Sequence, residues 1–250
     1  MIIDADTHIT PSGNPFSTDQ LVAEMDKAGV GRALTWLRPD YVGDGIEGHN
    51  AYVYQATQEH PDRVLGFGWA DPMVGVDHAK EMVKRCVYDY GFYGVKLNGA
   101  QNTYFIDDPE LSLPVAEAIA KTGKLLAFHI GDDEYERTHP FRAAKIASLF
   151  PEMPVLMVHM GNRNFDMIHA VIEMAQQNPN MYLVASQTLY QAALRAIKIL
   201  GADRVCFGSD APFQMMNVEV ATYTTLLEAE LSEDEAYNVM AGTIIRLFQL

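Results

Sequence analysis

Short apolar runs recur along the whole chain, and each run is continuously hydrophobic instead of alternating with polar residues. A strand that is buried on both faces of a parallel sheet has this composition. The pattern predicts eight parallel strands, over Ile2–Asp6, Ala33–Leu37, Val64–Trp69, Tyr93–Leu97, Leu125–His129, Val155–His159, Met181–Ala185 and Val205–Gly208.

The stretches between these runs have the composition and the end signals of helices. Ser17 begins a capping sequence before the first stretch, and Gly29 closes it. Further helices are predicted over Pro114–Lys121, Leu189–Leu200 and around Glu233–Phe248. Strands that alternate with helices of about 10–15 residues form βαβ units, so we expect a parallel sheet.

Eight βα units fit either a closed (β/α)8 barrel or a flat, doubly wound sheet. The first βα turn, Thr7–Pro11, lacks the GxGxxG sequence of dinucleotide-binding folds. A dinucleotide fold therefore has no support. We expect a single domain over residues 1–250.

A polar or ionisable side chain stands at or just after the end of each run. In a barrel, catalytic groups lie at this face, where the strands end. Asp6 and His8 are two residues apart, so on a strand they point the same way and can reach one cation. The whole set is Asp6, His8, Arg38, Asp71, Lys96, His129, His159, Ser186 and Asp210.

The distance between the first and the eighth strand distinguishes the closed barrel from the flat sheet. His129 and Asp210 would have to join the first pair from the fifth and the eighth strand. In a flat sheet the first and eighth strands lie about 30 Å apart, whereas a metal holds its nitrogen and oxygen ligands at about 2.0–2.2 Å. Only a closed sheet allows this ligand set, so the barrel and the metal site are predicted together.

The composition is that of a globular protein, with 48% hydrophobic and 20% charged residues. The 33 acidic and 18 basic residues give a formal charge of −15. A surface of that sign repels phosphate backbones and anionic membranes, so we expect neither nucleic acid nor a membrane as a partner. A local cationic pocket can still bind an anionic small molecule, which is the partner that we expect.

Three further features bear on the compartment. No apolar run reaches the roughly 18 residues that span a bilayer, and the first residues contain no cationic leader. Cys86 and Cys206 form no CxxC pair, so the sequence offers neither a disulfide framework nor a cysteine zinc site. We expect a cytoplasmic protein.

Five short motifs occur in order at the ends of the predicted strands. Together they resemble the amidohydrolase superfamily, in particular the amidohydrolase-2 branch of metal-dependent TIM barrels, which includes the aminocarboxymuconate-semialdehyde and resorcylate decarboxylases. The segment Leu231–Phe248 also looks like the last helix of that branch. The motifs are Asp4–His8, Gly94–Leu97, Phe128–Gly131, Val158–Gly161 and Gly208–Pro212.

The resemblance implies one divalent metal, usually zinc, held by a pair on the first strand, a fifth-strand histidine and an eighth-strand aspartate. Carried over to this sequence, the ligands are Asp6, His8, His129 and Asp210. His159, on the sixth strand, is implied as a catalytic group beside the metal.

This chain departs from the family pattern at its first ligand. Asp6 stands where the usual His-x-His motif has its first histidine, and a carboxylate there is similar to what some decarboxylases of the family use. Two carboxylates and two imidazoles form a harder ligand set than three imidazoles and one carboxylate. Manganese and ferrous iron therefore become stronger candidates beside zinc. A rival register would use His8 and Thr10, although a threonine hydroxyl is a poor ligand.

The ligand residues also have plain structural readings. Asp6 and His8 could cap the first loop, and Asp210 could be the residue of an Asx-turn. His129 and His159 could be hydrogen-bonded histidines of the core.

The motifs serve more than one reaction. We expect hydrolysis of an amide, a lactone or a related C–N or C–O bond, with Asp210 transferring the proton of a metal-activated water and His159 polarising the reacting group. The alternative is a non-oxidative decarboxylase of an aromatic or unsaturated acid, which Asp6 and Arg38 favour. A third reading is a barrel that binds a ligand without catalysis.

Three basic residues are candidates for substrate binding. A guanidinium matches a carboxylate with two parallel hydrogen bonds, so Arg38 and Arg163 could each anchor an acid. Lys96 is expected on the substrate side, although in binuclear relatives the fourth-strand lysine is carboxylated and bridges two metals. The acidic segment Gly131–Glu136 is expected to be a solvated loop or a lid. The resemblance also leaves a homodimer open, because barrels of this family often pair.

Overall fold

The computed structural model describes residues 1–11, 16–38 and 45–250. Its strands all pair in parallel, in the orders β1-β2-β3 and β4-β5-β6-β7-β8-β9. They are β1 Ile3–Ile9, β2 Arg32–Leu37, β3 Val64–Gly66, β4 Gly68–Trp69, β5 Gly94–Leu97, β6 Leu125–His129, β7 Val155–Val158, β8 Met181–Val184 and β9 Val205–Cys206.

The two sheets join on both sides into one closed barrel. On one side β3 continues into β4 through Phe67, whose N–H donates to the carbonyl of Thr35 at 3.0 Å. On the other side the chain after β9 pairs with β1, where the N–H of Ala5 donates to the carbonyl of Phe207 at 2.9 Å. The third predicted strand is thus split into two, and the predicted (β/α)8 barrel is confirmed.

Helices follow the strands. They are α1 Thr18–Ala28, α2 Gly45–Glu59, α3 Val76–Lys84, α4 Gly99–Asn102, α5 Ser112–Lys121, α6 Pro140–Leu149, α7 Phe165–Gln177, α8 Tyr190–Leu200, α9 Met216–Glu230, α10 Glu233–Tyr237 and α11 Thr243–Phe248. A π-helical turn, Asn238–Gly242, joins α10 to α11, so the last helix runs without a break over the range that the sequence predicts. Within the described residues, no helix is both long and apolar enough to cross a membrane.

The first helix shows how local sequence sets an element's ends. The Ser17 side chain accepts from the backbone N–H of Gln20, and the Gln20 side chain accepts from the N–H of Ser17. This reciprocal pair satisfies two backbone donors that the first helical turn leaves free. Gly29 ends the helix in the left-handed region at φ 72°, which costs glycine little.

The barrel interior has an apolar half and a polar half. Toward the amino ends of the strands, Ile3, Phe67 and Leu156 pack with Phe248 of α11, which closes this end. The register between β1 and β2 shifts between Asp4 and Thr7, so that β1 carries one extra residue. Such a bulge re-aims the side chains around it, and it carries Asp6, with His8 just beyond it at the carboxyl end of β1.

Candidate metal centre

Three buried side chains converge at the carboxyl end of the barrel. One ligand atom each from Asp6, His8 and Asp210 lies within 4.8 Å of the others. Asp6 lies within the bulge of β1, His8 follows it, and Asp210 follows β9. The N–H of Asp210 donates to the carbonyl of Asp6 at 2.8 Å, which links the two strands, and Asp210 has a left-handed φ of 60°. The closed sheet therefore brings the first and the last predicted ligands together.

The hydrogen bonds of His8 fix which ring nitrogen carries the proton. Its Nδ1 lies 2.7 Å from the carbonyl oxygen of Leu37, which can only accept, so Nδ1 is the donor. The indole Nε1–H of Trp36 donates to Nε2 at 3.1 Å. Nε2 is thus the ring nitrogen that faces the carboxylates, and it is the nitrogen that a metal-binding histidine uses when Nδ1 bonds to a backbone carbonyl.

Electrostatics favour a cation at this point. Nε2 of His8 lies 3.1 Å from Asp210 Oδ1 and 3.4 Å from Asp6 Oδ1, so positive charge at this nitrogen faces an oxygen of each carboxylate. Burial lowers the pKa of His8, but the hydrogen bond to Asp210 and the nearby carboxylate of Asp6 outweigh burial, and the pKa is raised. The same attraction for positive charge would act on a divalent ion.

Asp6 is ionised, and one of its two carboxylate oxygens accepts no hydrogen bond from the described residues. Burial raises its pKa, but the neighbouring imidazole of His8 and the charge of Lys96 more than offset that effect, so the pKa is lowered. Oδ2 accepts from Ser186 Oγ at 2.6 Å. Oδ1 is buried and has no hydrogen-bond partner among the described residues. A buried, unpartnered carboxylate oxygen facing two other ligand atoms fits a metal site.

His159 belongs to the same hydrogen-bonded chain. The one hydroxyl proton of Ser186 goes to Asp6, so Nδ1 of His159 donates to Ser186 Oγ, at 2.9 Å. Burial lowers the pKa of His159 to about 4, which keeps the imidazole neutral at pH 7. Its Nε2 then carries a lone pair. His159 has a left-handed φ of 72°, a strained conformation of the kind that clusters at functional sites.

Asp210 has a second contact that the sequence did not suggest. Its Oδ2 accepts a short hydrogen bond from Nε2 of Gln187, which follows β8. Both residues have left-handed backbone conformations, with φ values of 60° and 55°. Gln187 therefore holds the face of the Asp210 carboxylate that does not point at His8.

His129, the predicted fourth ligand, lies beside the three-residue group and not within it. Its Nε2 lies 2.7 Å from Oδ1 of Asp133, and its ring packs edge-on against that of His159 with centroids 4.8 Å apart. The structure thus pairs His129 with the acidic loop. The expectation of a merely solvated loop missed this contact, and ligation by His129 stays a prediction.

These groups line a cavity of about 250 Å3. Lys96 reaches it from β5, with Nζ 4.0 Å from the ring centroid of Trp36. Burial lowers the pKa of Lys96, and the charges of Asp6, Asp210 and Asp133 oppose that effect. The lining residues are His8, Lys96, Asn98, His129, Asp133, His159, Asn162, Gln187, Asp210 and Phe213.

The two predicted arginines lie outside this lining. The guanidinium of Arg38 packs over the ring of Phe213 at 5.3 Å, which places Arg38 at the edge of the cavity. Arg163 is not among the lining residues, and its charge acts on Glu219. The left-handed turn through Asn162, at φ 53°, brings Asn162 to the cavity in its place.

Several contributors escaped the sequence analysis for identifiable reasons. Trp36 lies inside an apolar run and looked like core. Gln187 and Phe213 each follow a strand-end motif directly, so a search one to three residues further along would have found them. Asp71, also in the predicted strand-end set, lies in a turn, where its side chain accepts from the N–H of Met73 at 2.8 Å.

The donor set bears on the identity of the metal. Two carboxylates and an imidazole suit zinc, manganese and ferrous iron. Among the described histidine, cysteine, aspartate and glutamate residues, Asp6, His8 and Asp210 form one such group, which agrees with a single ion.

Comparisons with known proteins bear on the reaction. 2-Amino-3-carboxymuconate-6-semialdehyde decarboxylase of Dictyostelium discoideum is 22% identical over 251 residues, covering 86% of this chain and 69% of that protein. The structure of 5-carboxyvanillate decarboxylase from Sphingomonas paucimobilis has a TM-score of 0.77 at 19% identity, covering 100% of this chain and 99% of the other. A dihydroxybenzoic acid decarboxylase from Polaromonas, with bound manganese and the inhibitor 2-nitroresorcinol, has a TM-score of 0.78 at 18% identity, covering 100% and 97%.

These findings correct the main functional expectation. All three similar proteins are decarboxylases, so the expectation of a hydrolase acting on C–N or C–O bonds was wrong. The error has a chemical reason, because one set of metal ligands at the strand ends serves either reaction. The expected preference for zinc is not confirmed either, since manganese is the metal in the Polaromonas protein.

The match to a family model spans nearly the whole barrel. The amidohydrolase model covers residues 3–250, from the first residue of β1 to the end of the chain. The motifs at the strand ends, the closed barrel and the buried Asp6–His8–Asp210 group all lie within that match. The chain therefore belongs to the amidohydrolase family.

Proposed function

We propose that this chain, as one barrel domain over residues 1–250, is a metal-dependent, non-oxidative decarboxylase of an aromatic or unsaturated acid. The observation that carries the proposal is the buried group of Asp6, His8 and Asp210, which opens into a cavity of about 250 Å3. The similarity to decarboxylases supports this choice of reaction.

Asp6, His8 and Asp210 would hold the ion, and His129 is proposed as a further ligand. Manganese and zinc are both proposed, because the carboxylate-rich donor set suits each of them. An ion held there would supply Lewis-acid stabilisation of the negative charge that develops on the substrate beside the scissile carboxylate.

The chain's own residues supply positioning and proton transfer. Decarboxylation breaks the bond between the ring or vinyl carbon and the carboxylate, releases carbon dioxide and requires one proton at that carbon. We assign the delivery of this proton to Asp210, whose carboxylate is oriented by His8 and Gln187. Water reprotonates Asp210 after each turnover.

His159 is proposed to orient the reacting group. Because Ser186 fixes its proton on Nδ1, its Nε2 can accept a hydrogen bond from the substrate. Arg38, stacked on Phe213 at the edge of the cavity, is proposed to bind an acidic group of the substrate. Arg163 has no part in this proposal, since it does not line the cavity.

The two cysteines bear on the compartment in which the enzyme works. Cys86 and Cys206 are buried free thiols, and burial raises the pKa of each to about 12. Buried thiols of this kind are compatible with a reducing compartment, so we propose the cytoplasm as the location.

The test measures metal content and carbon dioxide release together. Protein purified without added metal is analysed for its elements, loaded with manganese or zinc, and incubated with a panel of hydroxybenzoates and unsaturated acids. We expect about one equivalent of metal and metal-dependent release of carbon dioxide, both lost in Asp210→Ala. Metal-loaded protein that releases carbon dioxide from no acid in the panel would contradict the proposal.

A further inference from the structure

Lys96 is a buried lysine that forms no ion pair with any carboxylate in the part of the chain that the structure describes. Its side chain leaves β5 in the barrel interior, is 1% exposed, and lines the cavity. Within the described parts of the chain, Nζ makes no hydrogen bond and no ion pair with a carboxylate. Its close contacts are instead two indole faces, that of Trp36 at 4.0 Å and that of Trp69 at 5.3 Å.

Both indoles are fixed in place by hydrogen bonds. Nε1 of Trp36 donates to His8 at 3.1 Å, and Nε1 of Trp69 donates to Oδ1 of Asn102 at 2.9 Å. Asn50 holds the backbone of Trp69 from both sides, accepting from its N–H at 3.0 Å and donating to its carbonyl at 2.8 Å. The ring faces are therefore preorganised to stabilise a cation at Lys96.

The cation–π contacts leave the donors of Lys96 unused. An ammonium group has three N–H donors, and a ring face accepts none of them as a carboxylate oxygen does. Buried lysines are rare unless they are paired, because removing an ammonium from water is costly. In this barrel the space next to the ammonium is the cavity itself, so a bound molecule can supply the missing acceptors.

The charge balance of the cavity points in the same direction. Asp133 and Asp210 line it, and Asp6 lies directly behind them. A divalent ion offsets two of these three negative charges. An acidic substrate therefore needs a further cation, and Lys96 is the lysine among the lining residues.

We propose that Lys96, held between Trp36 and Trp69, forms a subsite for a second anionic group of the substrate, separate from the scissile carboxylate. The inference rests on the proposed function, and it narrows the substrate to an aromatic acid with a further carboxylate or phenolate. Lys96 thereby acts as a specificity-determining residue and takes no part in proton transfer.

The test compares ligands that differ only in the second anion. Metal-loaded protein is titrated by calorimetry with benzoate and with the three benzenedicarboxylates, phthalate, isophthalate and terephthalate, which cover the spacings between two anions. We expect at least one dicarboxylate to bind about tenfold or more tightly than benzoate, since a charge-assisted hydrogen bond is formed only with the second anion.

Two variants assign that preference to Lys96. Lys96→Met keeps the length of the side chain and removes its charge, and it should lose the preference while binding benzoate within about threefold of the wild type. Lys124→Met is the matched control, because Lys124 also lies over an aromatic ring, that of Tyr93 at 5.9 Å, but before β6 and outside the cavity. It should behave as the wild type does. Lys96→Gln repeats the measurement if the methionine variant does not fold.

Three outcomes would overturn the inference: a wild type that prefers no dicarboxylate, a preference that survives the loss of the charge at Lys96, or an equal loss of benzoate binding. The binding assay does not depend on turnover. A protein with the expected binding pattern that releases no carbon dioxide would contradict only the proposed reaction. Equal kcat/KM values for wild type and Lys96→Met on every acid that is decarboxylated would contradict only the subsite.

Discussion

The two ends of the barrel interior are built from the same strands, yet they differ in how completely their groups are satisfied. At the amino end, Phe248 stacks on Tyr93 with ring centroids 4.6 Å apart and packs near Phe67, and apolar side chains fill the space. At the carboxyl end, residues 1–11, 16–38 and 45–250 provide no hydrogen-bond partner for one carboxylate oxygen of Asp6 and no acceptor for the ammonium of Lys96. The first end stabilises the fold, whereas the second holds groups ready for a ligand.

Backbone strain follows the same division. Of the seven left-handed residues other than glycine in the described parts of the chain, Thr103 and Gln249 end helices. The other five follow β7, β8 and β9 at the carboxyl end, and they are His159, Met160, Asn162, Gln187 and Asp210. Such conformations cost about 1–3 kcal/mol each and persist where the surroundings enforce them. Packing at the apolar end therefore offsets the energetic cost of the strained residues and the unpaired polar groups at the carboxyl end. Substitutions at the two ends should therefore separate activity from stability.

The largest effect is expected at the polar end. Asp210→Asn keeps the shape of the side chain but removes a metal-binding charge and the assigned proton carrier. We expect carbon dioxide release to fall by about 10²–10⁴-fold and bound metal to be lost, with little change in the denaturant midpoint of the metal-free protein. Turnover assays, elemental analysis and urea unfolding check the three parts. Full activity in the variant would remove Asp210 from the mechanism.

The next largest effect is expected at the apolar end, where a substitution should lower the stability and leave the activity unchanged. Phe248→Ala removes a ring that closes the barrel, so we expect a loss of about 3–5 kcal/mol in the free energy of unfolding. Activity per folded, metal-loaded molecule should stay near that of the wild type. Leu250→Ala is the control, because Leu250 is 37% exposed just beyond α11. A comparable loss in the control would show that fraying of the chain end, and not core packing, is measured.

A smaller effect is expected for the hydroxyl that connects Asp6 to His159. Ser186→Ala removes the group that fixes the proton on Nδ1 of His159 and that bonds to Asp6. We expect a loss of about 10–100-fold in activity or metal affinity. Ser186→Thr keeps a hydroxyl and should restore part of it. A purely structural role predicts instead a lower unfolding free energy with unchanged metal affinity.

The smallest effect is expected where the two halves meet. Oδ1 of Asp4 accepts from the backbone N–H groups of Asp6, at 3.0 Å, and Ser209, at 2.9 Å, so it ties together the strands that carry the ligands. Burial raises the pKa of Asp4 to about 7. Asp4→Ala should cost about 1–3 kcal/mol in unfolding free energy and weaken metal binding.

Asp4→Asn serves as the matched variant, because its amide oxygen can accept the same two hydrogen bonds. Unfolding free energy and metal affinity should both stay near the wild-type values. An asparagine variant as damaged as the alanine variant would show that the charge of Asp4, and not its acceptor oxygen, matters.

The barrel could be read from the sequence because its signals are local. Continuous apolar runs mark strands that are buried on both faces, and the capping pair of Ser17 and Gln20 marks the start of α1 within one helical turn. Asp6, His8 and Asp210 were predicted from strand-end motifs, and closure of the barrel brings them together. The reaction was predicted wrongly, since the ligand residues by themselves are compatible with both hydrolysis and decarboxylation.

The sequence by itself therefore determined the order of strands and helices and most of the residues that meet at the site. Only the tertiary structure decided the bulge in β1, the proton position on His8, the pairing of His129 with Asp133, and the exclusion of Arg163 from the cavity. The physical reason is the separation along the chain over which each interaction acts. Apolar periodicity and capping act over a few residues, whereas a tautomer, an ion pair or a cavity wall depends on contacts between residues that are distant along the chain or on the exact turn of a loop.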